Sequence, residues 1–270
     1  MKVQGKTFVV TGGGSGIGRE LVLLLLKRGA SVASVDTNEA ALKETRSLAS
    51  QYTGKLSDHV ADITDEGAID KLPAKVIKAH GAVDAIINNA GIIQRFVMIK
   101  DLEVKEMKRV FDINFWGLVN VTKAFLPHLL KRPEAHIINT SSMGGYLPVP
   151  GQTVYGASKA AVKLFSEGLH SELMDTNVHV TTVFPGATAT NIAVNSGATT
   201  RAEADKQKGQ SKIKMTSAAD SARIIVDGIE KNKYHVFAGS DANSMDKLSR
   251  LMPERAARII YQNMRSILPK

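Results

Sequence analysis

The run TFVVTGGGSGIGRELVLLLLKRGASVASVD, Thr7 to Asp36, places an apolar strand, a glycine-rich turn, a helix and a second apolar strand in direct succession. That order admits few folds. Two short apolar runs joined by a helical segment make a parallel β-α-β unit, whose crossover is right-handed. The glycines of TGGGSGIG allow a tight turn and a close approach to a pyrophosphate, and the helix that follows offers unpaired N–H groups to its charge. Thr11, Gly12, Gly14, Ser15, Gly16, Ile17 and Gly18 are therefore candidate nucleotide-binding residues. Asp36 ends the second strand, 18 residues after Gly18. A carboxylate there accepts hydrogen bonds from an adenosine ribose and repels a 2′-phosphate. Thr37, Asn38 and Glu39 supply no cation to bind such a phosphate, so NAD is the expected cofactor and NADP the less favoured one. The plainer alternative for Asp36 is a cap on the NEAALKETRSLA helix.

The same rhythm continues along the chain. TFVVTG, SVASVD, VDAIINNAG, HIINTSS, HVTTVFPG and HVFAG alternate with segments of helical spacing. Val- and Ile-rich runs interleaved with helices predict a single doubly wound α/β domain of Rossmann type, with a parallel sheet, helices on both faces, and ligands beyond the carboxyl ends of the strands. Two stretches depart from the rhythm. Residues 190–215 are polar and charged, and read as a substrate lid following a strand end. Residues 241–270 form a basic extension beyond a domain spanning 1–240; within 231–270, eight Lys/Arg face three Asp/Glu, which accounts for +5 of the net +9. On a helical wheel Ala256, Ile260, Met264, Ile267 and Leu268 share one side and Arg255, Arg258 and Arg265 the other. This tail either docks on protein or lies on a membrane surface. Pro73 predicts a helix break with a restart at that point. The absence of cysteine excludes a thiol nucleophile, and the scattered histidines give no metal site. No signal-like segment stands near Met1, so a cytoplasmic protein is expected, with possible peripheral membrane contact.

Further motifs follow in order: NNAG at Asn88–Gly91, DINFWG around Asn114, NTSS ending at Ser142, YGASK from Tyr155 to Lys159, and PGATAT at Pro185–Thr190. Together with the opening turn they resemble the short-chain dehydrogenase/reductase family, in the branch carrying TGxxxGxG and YxxxK. The likeness runs over about residues 5 to 240. It implies an active centre of Asn114, Ser142, Tyr155 and Lys159. It also implies that Asp62 and Ile63 lie by the adenine. Asn88, Ala90, Gly91 and Ile138 to Thr140 would wall the cofactor, and Pro185, Gly186, Thr188 and Thr190 would border the nicotinamide. Ser141 matches too, but the spacing of thirteen residues to Tyr155 favours Ser142. Homodimers or homotetramers are likewise implied by the resemblance alone.

The chemistry asks for these residue types. Tyr155 and Lys159, four residues apart on a helix, point into one cleft. A free tyrosine ionises at about pH 10, and a nearby ammonium together with a nicotinamide cation is expected to lower that value. The phenolate then takes the proton of a secondary alcohol, or in reverse returns it to an alkoxide. Ser142 hydrogen-bonds the same oxygen, Lys159 suits the ribose hydroxyls, and Asn114 positions a water that relays protons. Tyr146, Gln152 and Gln94 are expected near the substrate, and Met143, Leu147, Val149 and Ile192 suggest an apolar pocket for a hydrophobic alcohol or ketone. The resulting expectation is an NAD(H)-dependent oxidoreductase. Its rivals are an NADPH-dependent ketone reductase and a non-catalytic nucleotide sensor. A nucleic-acid binder lacks any aromatic platform beside its charges.

Overall fold

The computed structural model describes residues 1–52, 54–203 and 215–265. Seven strands form one sheet: β1 (Thr7–Thr11), β2 (Ser31–Asp36), β3 (Leu56–Val60), β4 (Ala85–Asn88), β5 (Ala135–Thr140), β6 (Val178–Pro185) and, after two short strands outside the sheet, β9 (His235–Ala238). Their spatial order is β3-β2-β1-β4-β5-β6-β9, and every pairing is parallel. The six expected runs are all strands. The seventh, β3, reads LSDHV and was not among them. It is an edge strand with its last residue, Val60, 57% exposed, so the continuous apolar pattern of a buried strand never develops.

Helices cover both faces. Phe8 and Val10 point to one side of β1, where Leu21 and Leu25 of α1 (Gly16–Lys27) meet Ile225, Val226 and Ile229 of α9 (Ala218–Glu230). Val9 points to the other side, towards Val76 of α4 (Leu72–His80), Val121 and Phe125 of α6 (Gly117–Leu129), and Leu169 of α7 (Thr153–Glu172). Burying both faces explains why these strands lack a polar alternation. The chain turns one way out of β1 and the other way out of β4, which opens a crevice beyond the carboxyl ends of the strands.

The remaining elements frame that crevice. α2 (Glu39–Leu48) is capped by Asn38, whose side chain accepts from Ala41 N, so Asp36 is left for other partners. α3 (Glu66–Asp70) stops short of Pro73, and α4 carries that proline in its first turn, as its fixed φ requires. α5 (Val104–Phe111) passes through a π-helical turn at Asp112–Trp116 into α6. β7 (Thr188–Ala189) and β8 (Thr216–Ser217) pair with each other, pinning together the two ends of the polar excursion. Residues 204–214 of the expected lid lie outside the described residues; the part before them includes the single turn α8 (Ile192–Asn195).

The basic extension is packed on the domain. α10 (Ser240–Leu251) and α11 (Pro253–Met264) bury Ala242 and Ala256 completely. Along α11, Ile260 and Met264 are half-buried while Arg255, Arg258 and Arg265 are exposed. The apolar side that a membrane-surface helix would insert thus faces protein; Ile267 and Leu268 lie outside the described residues. Among the described residues, no helix is long and apolar enough to cross a membrane.

Candidate active site

The glycine-rich turn joins β1 to α1, with Gly12 at φ 70° and Gly16 at φ 53°. Ser15 starts the helix without a side-chain cap, and no acidic residue occupies the first turn. The orphan N–H groups therefore face the crevice without a competing carboxylate, which suits a pyrophosphate. Asp36 Oδ2 accepts from Gly14 N at 3.0 Å and Oδ1 from Asn38 N at 3.0 Å, fixing the carboxylate at the tip of β2 with lone pairs to spare. The turn is braced from behind. Arg19 donates to Gly14 O at 2.6 and 3.0 Å and pairs with Glu44, while Thr45 Oγ1 donates to Gly13 O at 3.1 Å. Sequence reasoning missed Arg19 and Thr45, which carry no motif of their own.

Thr11 holds two loops together rather than facing a ligand. Its hydroxyl accepts from Asn89 N and Ala90 N, at 3.0 and 3.1 Å, and the residue is 2% exposed. Gly12 and Ala90 lie close enough that a Cβ on Gly12 would come within 3.0 Å of Ala90 Cα. Asp62 follows β3, and its Oδ1 accepts from Thr64 N and Thr64 Oγ1. Ile63 is buried against Gly117. Asn88 departs from expectation. Its amide donates to Thr122 Oγ1 and Asn139 Oδ1, at 3.0 and 2.9 Å, so the side chain is enclosed between sheet and α6 and does not line the crevice. A polar residue at the last position of a buried strand finds its partners across the strand and helix, and takes no part in ligand contact.

The four centre residues converge at the mouth of the crevice. The Ser142 hydroxyl lies beside the Tyr155 phenol, where it favours the ionised form, and it accepts from Gly144 N at 3.1 Å. Ser141 points the other way, donating to Lys159 O at 2.7 Å. Lys159 is 4% exposed and donates to Thr140 O at 2.9 Å. A methyl group placed on Gly91 would sit 3.1 Å from Asn114 Oδ1 and 3.2 Å from Lys159 Nζ, so that glycine keeps the two apart without filling the space. Asn114 is fully buried within the π turn. Its amide spans both backbone groups of Ile92, and its Nδ2 also donates to Ser158 Oγ.

Burial governs the charges. It pushes the Tyr155 phenol above its ordinary value, with the neighbouring Ser142 hydroxyl opposing, and lowers Lys159 to about 8. The protein's own groups thus raise Tyr155, whereas the sequence expectation of a lowered value counted a nicotinamide cation as well as the ammonium. The Lys159 ammonium is spent on a carbonyl, and desolvation of the phenolate is the larger effect.

Around this centre, PGATAT is anchored from the far end of the chain. Ala187 N donates to Asp241 Oδ2 at 3.1 Å, and Gly186 N to Ala238 O at 3.0 Å. Thr190 touches Gly16, and Asn195 Nδ2 donates to Ser15 Oγ at 3.1 Å, so this segment meets the glycine-rich turn across the crevice. Tyr146 is engaged, its hydroxyl donating to Ala242 O at 2.6 Å. Gln94 and Gln152 are buried and bonded to backbone instead of lying open to a substrate. Leu147 and Val149, with Pro148, Pro150, Ala157 and Ala160, line a cavity of about 580 Å3 beside α7; Met143 and Ile192 do not.

Comparison with known proteins agrees with this geometry. Residues 6–201 match the family model for short chain dehydrogenase. The chain is 34% identical to SadH of Mycobacterium tuberculosis over 273 residues, covering 98% of each. It is 35% identical over 238 residues to dehydrogenase/reductase SDR family member 7B of Rattus norvegicus, covering 85% of this chain and 72% of that one. A short chain dehydrogenase/reductase from Burkholderia phymatum, solved in complex with NAD, superposes with a TM-score of 0.85 at 24% identity, covering 94% of this chain and 96% of that one. One from Burkholderia cenocepacia, in complex with NADP, gives 0.80 at 22% identity, covering 96% and 99%.

Proposed function

The chain belongs to the short chain dehydrogenase family and is an NAD(P)-dependent oxidoreductase, and from that premise we propose that it interconverts a secondary alcohol and a ketone with NAD(H), on a hydrophobic substrate, using Tyr155 as acid and base. The observation that carries this reading is the Tyr155 phenol, with the Ser142 hydroxyl beside it and a buried lysine one helical turn away.

The residues present fit a dinucleotide. Gly12, Gly16 and the uncapped start of α1 would cradle the pyrophosphate, Asp36 would take the adenosine ribose hydroxyls, and Lys159 the nicotinamide ribose. Asp36 at this place, with no cation beside it, favours NAD over NADP. A bound nicotinamide supplies the hydride acceptor for oxidation and the hydride donor for reduction. The protein handles the proton. Tyr155 Oη removes it from the alcohol hydroxyl during oxidation and returns it to the carbonyl oxygen during reduction, while Ser142 Oγ holds that oxygen in place. The phenol's raised pKa means that Lys159 must be drawn towards the ribose and the phenol for proton removal near neutral pH.

Tyr155→Phe should bind NADH as the unaltered protein does, followed by nicotinamide fluorescence, while alcohol oxidation falls by about 10²- to 10⁴-fold. NADPH should bind more weakly than NADH to both. Undiminished turnover in the variant would sink the role of Tyr155, and a preference for NADPH would overturn the cofactor.

A further inference from the structure

Every α-helix begins with backbone N–H groups that have no partner within the helix. In α7 this matters more than elsewhere, because its third residue is Tyr155. The residue at the N-cap position, Gln152, does not satisfy them: its side chain turns back and donates to Gln94 O at 2.8 Å. The orphan donors are taken by Gln94 itself. Gln94 Oε1 accepts from Val154 N at 2.9 Å and from Tyr155 N at 3.0 Å, and its Nε2 donates to Gly151 O at 3.1 Å. Gln94 and Gln152 are 1% and 3% exposed, so these bonds form away from water, where losing them is costly.

Gln94 is tied at its other side as well. It lies two residues after Ile92, whose N–H and carbonyl are both held by Asn114. Asn114 also donates to Ser158 Oγ, which donates to Tyr155 O at 2.7 Å. Tyr155 is thereby gripped at its backbone nitrogen through Gln94 and at its backbone oxygen through Ser158. Glutamine is the side chain that suits the place. A carboxylate would accept both N–H groups but could not donate to Gly151 O, and a hydrocarbon of similar length would do neither.

We propose that Gln94 is a positioning residue for the reaction: its side-chain carbonyl fixes the first turn of α7 and so the aim of the Tyr155 phenol. This deepens the proposed function and rests on Tyr155 being the acid and base.

The test labels the five tyrosines with 3-fluorotyrosine and follows their fluorine resonances against pH in the full chain. The Tyr155 signal is assigned by its absence from Tyr155→Phe. In Gln94→Met the ring gains freedom and water, so the Tyr155 midpoint should move down towards that of free fluorotyrosine, with a narrower line. In Gln94→Glu both acceptor bonds persist but a negative charge is buried at the start of α7, against the backbone of Tyr155, so the midpoint should move up. Shifts of opposite sign at Tyr155, with the other four resonances unmoved, support the proposal; a general folding defect would not produce them. Midpoints equal to the unaltered protein in both variants, or displaced in the same direction, overturn it. Should Gln94→Met fail to fold, Gln94→Glu carries the test alone, an unmoved midpoint being the refutation. Retained turnover in Tyr155→Phe would remove the acid/base role and leave this measurement of the clamp standing.

Discussion

Lys159 carries an ammonium where water hardly reaches, and the protein bears that cost for the sake of the site. Its pKa of about 8 when folded lies below the 10.5 of an exposed lysine. Between those values the unfolded chain holds a proton that the folded chain has released, so stability rises with pH across the window and the full penalty applies below it. Lys159→Met should abolish turnover and remove this pH-dependent contribution. Urea denaturation of both proteins from pH 7 to 10.5 should show the unaltered chain gaining on the variant above pH 8; parallel curves would contradict the burial argument. At this scale the sequence is legible where a residue belongs to a spaced motif. Ser142, Tyr155 and Lys159 could be singled out because they match the spaced motifs of a family, and that spacing favoured Ser142 over Ser141. Arg19 and Thr45 could not, and Gln94 was expected at the substrate and not at the start of α7, because their work is to hold backbone groups donated or accepted by distant residues. The burial of Tyr155 was not legible for a related reason: a charge is visible in a sequence, while desolvation is a property of the assembled surroundings.

At the scale of elements, glycines in the first turn and in α7 do opposite things. A Cβ on Gly18 would overlap the Gly12 carbonyl oxygen and crowd Asn89, both of which are fixed. Gly168, on the exposed side of α7, has nothing within 4 Å of where a Cβ would stand. Gly18→Ala should abolish NADH binding and lower the melting temperature. Gly168→Ala should raise stability by about 0.5–1 kcal/mol without touching binding, because the unfolded chain loses freedom it would otherwise keep. Thermal melts and NADH titration of the two variants check both statements. Six of the seven sheet strands are legible in the sequence because burial on two faces forces continuous apolar runs. β3 is not, since Ser57, Asp58 and His59 at a sheet edge satisfy their environment without such a run.

For the whole molecule, the boundary drawn at residue 240 does not separate site from appendage. Asp241 holds Ala187 N and Ala242 O receives the Tyr146 hydroxyl, so α10 touches both the Pro185–Thr190 loop and the loop leading into α7. A chain ending at Gly239 should melt at a lower temperature and bind NADH more weakly. Arg255→Glu with Arg258→Glu, which alters exposed side chains alone, should change neither; equal loss in both would mean that the charge of the tail, and not its packing, supports the fold. The tail's amphipathic pattern was readable, but which surface its apolar side would find was not, because Ala256 is buried by residues from elsewhere in the chain.

The parallel sheet has a consequence for how the protein comes into being. Each of its strand pairs is closed over an intervening crossover, and β9, which flanks the final anchor, enters the sheet last. Contacts this far apart in sequence form slowly and cannot form at all before both partners exist. During synthesis the glycine-rich turn emerges first, yet the loop that faces it stays without its anchor until Asp241 has been made. A message cut short near its end therefore yields a chain that carries every motif of the centre and lacks the piece that holds them in register.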